Sequence, residues 1–145
     1  MTEVRGCLIP EELYYWVEKH VWARDDGDEV LTIGVTDPAQ HLAARIVALT
    51  AKKVGRAVER GQSVATLESG KWVGPVPAPV DGEIVEVNAA VVSDPTLANT
   101  DPYGAGWVVR LRPRDWAGQR GELVSGAEGV ERYRAFLEAE GISCD

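Results

Sequence analysis

Between Glu29 and Leu111 the chain falls into short runs of β-branched and aliphatic residues separated by Gly, Pro and Asp. That is the spacing of a compact all-β sandwich or barrel. Strands are predicted at Val30–Val35, Ile46–Ala51, Ser63–Glu68, Gly82–Asn88 and Gly106–Leu111. In Ser63–Glu68 and in Val85-Glu86-Val87 apolar and polar residues alternate, so each strand buries one face and wets the other.

Three places carry helix-start chemistry instead. Thr36-Asp37-Pro38 offers a capping side chain followed by proline where a helix tolerates its missing N–H, which predicts a turn or two over Ala39–Ala44. Ser93-Asp94-Pro95 repeats the device ahead of Thr96-Leu97-Ala98. Ser125-Gly126-Ala127-Glu128 has capping-box spacing, and Val130, Tyr133, Phe136 and Leu137 then share one helical face up to Gly141. A C-terminal amphipathic helix packed on the sandwich is expected. There is no tandem repeat and no low-complexity tract.

A length of 145 residues suits one domain, read as 1–145, with a core at about 13–115 and a helical appendage at about 125–141. Hydrophobic residues make up 45% of the chain, enough for a real core, which excludes a disordered chain. The formal charge of −8 argues against nucleic-acid binding, because neutralising phosphates takes a cationic surface. Apolar runs are strand-sized, so no membrane span is expected. The opening Met1-Thr2-Glu3-Val4-Arg5 leads into acidic residues rather than an apolar secretory core, so a cytoplasmic address is expected. Both ends are acidic, while residues 41–75 set six basic side chains against Glu59 and Glu68. Such a stretch either complements an acidic partner or keeps a strand edge soluble.

Few residues offer chemistry. Cys7 and Cys144 are too few for a disulfide scaffold and too isolated for a Cys-x-x-Cys motif. They are expected to be structurally incidental, the alternative being an intermolecular or redox role. His20 and His41 have no metal-ligand neighbour at helical or hairpin spacing, and a packing or surface role is expected for both. The stretch ending Gly70-Lys71 has Ala65 where a P-loop needs its first glycine and Trp72 where it needs Ser or Thr.

What remains is the run from Leu67 to Asn88. A strand enters Glu68, a glycine-assisted turn through Ser69 and Gly70 presents Lys71, and a Pro-rich return through Trp72 and Val73 reaches a second strand near Gly82. The bland reading is an ordinary exposed lysine at a loop tip.

This segment resembles the attachment hairpin of the glycine-cleavage H-protein family, relatives of biotinyl and lipoyl domains. The resemblance spreads over about residues 13–115. Tyr15 through His20 and Trp22 is similar to the family's Tyr…His-x-Trp opening, and Ile33 through Gln40 to its Gly-Ile-Thr-Asp-x-Ala-Gln. Val54-Gly55, Gly61, Glu68-Ser69, Lys71, Ala78-Pro79, Gly82-Glu83 and Asp101-Pro102-Tyr103-Gly104-x-Gly106-Trp107 follow in family order. A biotinyl domain is disfavoured, since Gly70 and Trp72 stand where two methionines usually flank the biotinylated lysine.

The resemblance implies a flattened barrel-sandwich of antiparallel strands and a non-catalytic carrier with lipoic acid in amide linkage to Lys71. Glu68, Ser69, Gly70, Trp72 and Val73 would then form the hairpin that a lipoate ligase or lipoyl synthesis enzyme reads. The modified side chain would swing. Burying about eight methylenes yields at most ~6 kcal/mol, and freezing as many rotors costs ~4 kcal/mol. An arm held by the difference, about thirtyfold, docks and still leaves. Trp72 and Val73 beside the anchor offer it an apolar ledge.

Several positions depart from the family pattern. Glu-Ser-Val-Lys-Ala/Thr is Glu68-Ser69-Gly70-Lys71-Trp72, the acidic residue between His and Trp is Val21, the Gly-Asp/Glu after the short helix is Ala44-Arg45, and the polar residue before it is Leu42. A protonated amine adduct, the cargo passed between glycine decarboxylase and aminomethyltransferase, would find fewer partners there. The run Trp72-Val73-Gly74-Pro75-Val76 and the opening Arg5-Gly6-Cys7…Leu13-Tyr14-Tyr15 are more similar to lipoate carriers of a heterodisulfide-reductase-like sulfur-oxidation system. That resemblance implies sulfur intermediates on the dithiol and a dihydrolipoamide dehydrogenase that reoxidises it. An unmodified interaction module is the reading from another class.

Overall fold

The structure is a computed structural model and describes residues 2–145; Met1, which opens the N-terminal segment read above, lies outside the described residues. The chain begins with a hairpin of β1 (Glu3–Val4) and β2 (Cys7–Leu8), turned through Arg5 and Gly6 at positive φ. A second hairpin pairs β3 (Tyr14–Trp16) with β4 (Val21–Asp25) across a 3-10 turn at Val17–Lys19, and β5 (Leu31–Val35) returns along β4. Thr36 then caps α1 (Asp37–Ala43), its Oγ1 accepting from the Ala39 N–H at 3.3 Å with Pro38 in the first turn, as its capping chemistry predicts. β6 (Ile46–Ala51), β7 (Ala57–Val58), β8 (Ser63–Ser69), β9 (Val73–Pro77) and β10 (Gly82–Val87) follow. The remaining elements are α2 (Ala89–Ser93), α3 (Leu97–Thr100), β11 (Val109–Pro113), α4 (Trp116–Gln119), β12 (Val124–Ser125) and α5 (Gly126–Glu140).

All pairing is antiparallel. Seven strands form one sheet in the order β12-β3-β4-β5-β11-β10-β7, and β6-β8-β9 form a second, so the expected sandwich is observed. Alternation puts Ile33, Ile84 and Leu111 of the large sheet in one aliphatic core with Ile46, Leu49, Val64, Leu67 and Val76 of the small one. The outer strand β9 carries Pro75 and Pro77, which have no N–H to offer a neighbouring chain.

A second core has a different composition. Val130, Tyr133 and Leu137 of α5 pack with Val4, Cys7, Ile9, Leu13, Tyr15, Val17 and Trp22, joining both chain ends to the face of β3 and β4. Tyr15 and Tyr133 meet edge to face with centroids 5.6 Å apart, as aromatic quadrupoles prefer. Trp22 is fully buried opposite Gly34, where a methyl group would fall 2.5–2.7 Å from the indole. Its Nε1 donates to Val35 O at 3.0 Å and Pro102 O at 3.1 Å, so the ring is fixed on both sides.

Cys7 and Cys144 correct their expected incidental role, because they form an intramolecular disulfide with Cα atoms 4.9 Å apart. Their separation of 137 residues in sequence hid this. The ends meet through backbone chemistry: the Cys144 N–H donates to Arg5 O at 2.9 Å, and Arg5 Nε donates to Ile142 O at 2.7 Å. Other differences are local. The strand expected at Gly106–Leu111 starts only at Val109, because Gly106 still closes a turn onto Asp101 O at 2.9 Å. Asn88 ends no strand; its Oδ1 accepts from the Ala90 N–H at 3.1 Å and starts α2. Ser93 closes α2 rather than opening a helix. Ser125 makes no capping bond, and the start of α5 is anchored instead by the Gly126 N–H donating to Glu11 O at 3.0 Å.

Candidate functional site

The tip between β8 and β9 is built by one hydroxyl. Ser69 is buried, and its Oγ accepts from the Lys71 N–H at 3.2 Å and the Trp72 N–H at 3.1 Å while donating to Trp72 O at 3.4 Å. The Ser69 N–H donates to the same carbonyl at 2.8 Å. Two-residue hairpins usually close on a residue at positive φ. Here neither Gly70 nor Lys71 has one, and a Cβ on Gly70 would meet nothing within 4 Å. The expected glycine assistance is therefore replaced by the serine side chain.

This geometry sorts the sequence-predicted residues. Lys71 and Trp72 are exposed, and both line a cleft of about 580 Å³, a volume within the range of small-molecule sites. Ser69 points inward and holds the turn. Glu68, Gly70 and Val73 are exposed but lie outside the cleft; Glu68 sits on the outward face opposite Val73 and Ala48.

The cleft wall comes mainly from three places, with Val35 of β5 and Gly61 completing it. The hairpin supplies Leu67, Pro75, Val76 and Pro77 as well as Lys71 and Trp72; α1 supplies Ala39, Leu42 and Ala43; the β3–β4 turn and the start of β4 supply Glu18, Lys19, His20 and Val21. Leu42 and Val21, 21 positions apart in sequence, thus meet at one surface, and both are apolar. Glu18 is the carboxylate on the lining, and Arg132 approaches it at 3.7 Å.

His20 is the cleft residue that sequence reasoning missed, since the sequence assigns it to packing or surface alone. It packs as well: Nδ1 lies 2.5 Å from Tyr133 Oη, and the rings stack with centroids 5.7 Å apart. Thr36 Oγ1 is 2.8 Å from the same phenol oxygen, so the Tyr133 hydroxyl is hydrogen-bonded on two sides. Burial pushes the His20 pKa down to about 4, with Glu18 opposing the shift, and burial drives that of Tyr133 well above its ordinary value. Both groups are neutral at pH 7. The available signal was Tyr133, whose helical position pairs it with whatever lies under α5.

The basic stretch does not form one patch. Arg45 adjoins Ile46, the partner of Ser69 at the Lys71 end, whereas Lys52 follows Ala51, the partner of Ala65, about 20 Å away at ~3.3 Å per residue. Arg60 is spent internally, its guanidinium 3.9 Å from the Trp16 ring centroid and its Nε donating to Pro79 O at 3.0 Å. Among the described residues no cluster of three His, Cys, Asp or Glu is placed to hold a metal ion, and no helix is long and apolar enough to cross a membrane.

Fold and site together define a class: a small β-sandwich that displays a lysine on a pinned hairpin beside a sheltering cleft. The comparisons with known proteins fall within it. The family model described as glycine cleavage H-protein matches residues 13–138, reaching into α5. Glycine cleavage system H protein 2 of Aquifex aeolicus is 44% identical over 144 residues, covering 99% of this chain and 89% of the relative. A glycine cleavage system H protein of Thermus thermophilus is 47% identical over 132 residues, covering 91% of this chain and 98% of the relative. The crystal structure of a glycine cleavage system H protein from Mycobacterium marinum superposes with a TM-score of 0.74 at 33% identity, covering 86% of this chain and 98% of that one. The chain belongs to the glycine cleavage H-protein family, whose members are non-catalytic lipoyl carriers.

Proposed function

We propose that Lys71 carries the lipoyl group in amide linkage and that the cleft beside it receives the resulting arm. The observation that carries this reading is an exposed amine on a tip pinned through Ser69 Oγ, at the rim of an apolar cleft. A lysine amine is protonated at neutral pH, so acylation needs a partner, a lipoate ligase or lipoyl synthesis enzyme, that supplies an activated acyl group. Acylation removes the charge and leaves a dithiolane that is reduced, loaded on sulfur and reoxidised by partner enzymes. The stiff hairpin confines motion to the arm, so the reacting sulfurs search a small volume.

The cargo reading favoured here is a sulfur intermediate, delivered to a heterodisulfide-reductase-like complex, with a dihydrolipoamide dehydrogenase restoring the disulfide. Its support is the apolar surface that Val21 and Leu42 make together. An aminomethyl adduct is a cation that needs a carboxylate or other acceptor on leaving water, and Glu18, exposed, already faces Arg132. The second reading, an aminomethyl carrier between glycine decarboxylase and aminomethyltransferase, draws on the relatives, which are named as glycine cleavage system proteins.

Intact-mass and peptide mass spectrometry of the protein from its native host tests the attachment. A lipoyl increment on the Lys71 peptide, absent in Lys71→Arg, is expected. A chain that consistently lacks the increment would instead be an interaction module. Transfer of an aminomethyl group onto the modified protein by a glycine decarboxylase would overturn the sulfur reading and leave the carrier reading intact.

A further inference from the structure

Trp72 immediately follows the anchor, and 48% of its surface stays in water although it lines the cleft. Hairpin stability alone gives no reason to leave so large an apolar ring half wet. The ring is nonetheless fixed. Its amide is bound by Ser69 Oγ, and its indole lies across Gly74, two residues on in β9. A methyl group on Gly74 would collide with ring atoms Cζ2, Cη2 and Cε2, so glycine there is the seat that lets the indole lie flat. Gly74 has no positive φ, so backbone conformation is not what requires it. Val73 is even more exposed, at 62%, but lies outside the cleft, which separates the two residues that sequence alone treated as one ledge.

From these observations we infer that Trp72, seated on Gly74, is the side chain that holds the acyl arm of modified Lys71 in the cleft, with Gly74 as its positioning residue. The inference rests on the lipoyl reading above. The chemistry fits the site: an aromatic face offers contact area to methylenes and a favourable surface to dithiolane sulfur. Leu42, 45% exposed, adds an aliphatic contact from α1. The ring thereby sets how long the dithiolane stays sheltered from other reactants.

The test uses the full-length lipoylated protein as wild type, Trp72→Ala, Trp72→Phe, Gly74→Ala and the Trp72→Ala/Gly74→Ala double variant. Intact mass reports acylation, a thermal melt reports folding, and near-ultraviolet absorbance follows opening of the dithiolane by tris(2-carboxyethyl)phosphine, with free lipoamide as reference. Wild type is expected to react more slowly than lipoamide. Trp72→Ala and Gly74→Ala should each speed the reaction by about two- to tenfold, the range that sulfur–aromatic contacts span. The double variant should match Trp72→Ala, because a methyl group has no ring left to displace, and Trp72→Phe should fall between wild type and Trp72→Ala. A fully acylated Trp72→Ala that reacts at the wild-type rate overturns the inference and leaves the lipoyl reading standing; independent, additive effects in the double variant overturn the role of Gly74. If wild type carries no acyl increment, the lipoyl reading falls and the inference with it.

Discussion

Two tryptophans in this protein fill the space that a glycine's Cβ would take, and only one of them is finished. Trp22 rests against Gly34 on the neighbouring strand, is fully buried, and has its N–H held by two carbonyls. Trp72, at the turn just before β9, rests on Gly74 two residues on, stays half exposed, and makes no hydrogen bond through its ring nitrogen among the described residues. The same local device, an indole filling the space that a Cβ would take, therefore serves architecture in one place and leaves a surface to be completed in the other. Burial and satisfied polar atoms mark a finished contact; an ordered aromatic left in water beside a cleft marks one that awaits a ligand.

Breaking this contrast starts with the largest effect. Trp22 belongs to the core closed by Cys7–Cys144, and cutting that bond frees a loop whose closure is worth up to ~5 kcal/mol in the chain-entropy view. Cys7→Ser/Cys144→Ser should lower unfolding free energy by roughly 2–5 kcal/mol in denaturant titrations. Hydrogen exchange should show β8–β9 amides protected to the same relative degree. Protein denatured without reductant should show no free thiol by Ellman assay, since both cysteines are bonded. Gly34→Ala comes next: its methyl group meets an indole that cannot retreat, at a cost of about 3 kcal/mol. Gly74→Ala should change stability by less than ~1 kcal/mol, because the exposed Trp72 ring swings away into water. Equal losses in the two glycine variants would erase the distinction between a sealed indole and an open one.

A pH experiment probes the boundary between the two regions, where His20 links the cleft to Tyr133. Its native pKa is lowered from 6.5 to about 4, so between those values the unfolded chain binds the extra proton. Stability is full above pH 6.5 and falls as pH drops toward 4, by up to about 3 kcal/mol. His20→Asn tolerates the left-handed backbone at φ 57° and should flatten that part of the stability profile, as read from melts across about pH 4–7. The smallest effect is expected at Gly70. Because it has neither positive φ nor a close neighbour, Gly70→Ala should leave both the melt and acylation of Lys71 within error.

Much of the fold is legible because its determinants are local. The pattern bounds Ile46–Ala51 correctly, leaves Ser63–Glu68 one residue short, and identifies the Thr36 cap with its helix. It does not reveal Tyr14–Trp16 and Val21–Asp25 as strands, since three or five residues interrupted by a 3-10 turn leave no period to read. At the site, resemblance and turn chemistry locate Lys71 and place Ser69 in its hairpin, but they do not show that the buried Ser69 hydroxyl is what holds the turn. His20 enters the cleft unseen because its neighbours there arrive from α1 and β9.

The sequence by itself determined the strand into Glu68 and the turn that presents Lys71, the capping of α1, and the apolar alternation that builds the sandwich, since each depends on residues within a few positions of one another. The strand that closes the hairpin is not the expected one near Gly82, which lies in the other sheet, but the Pro-rich return Val73–Pro77 itself. Only the tertiary structure decided that Cys7 meets Cys144, that Val21 and Leu42 share a wall, and that Trp22 is sealed while Trp72 is left open. The physical reason is that a side chain's exposure and partners are set by which distant segments pack beside it, and local periodicity carries no record of that packing.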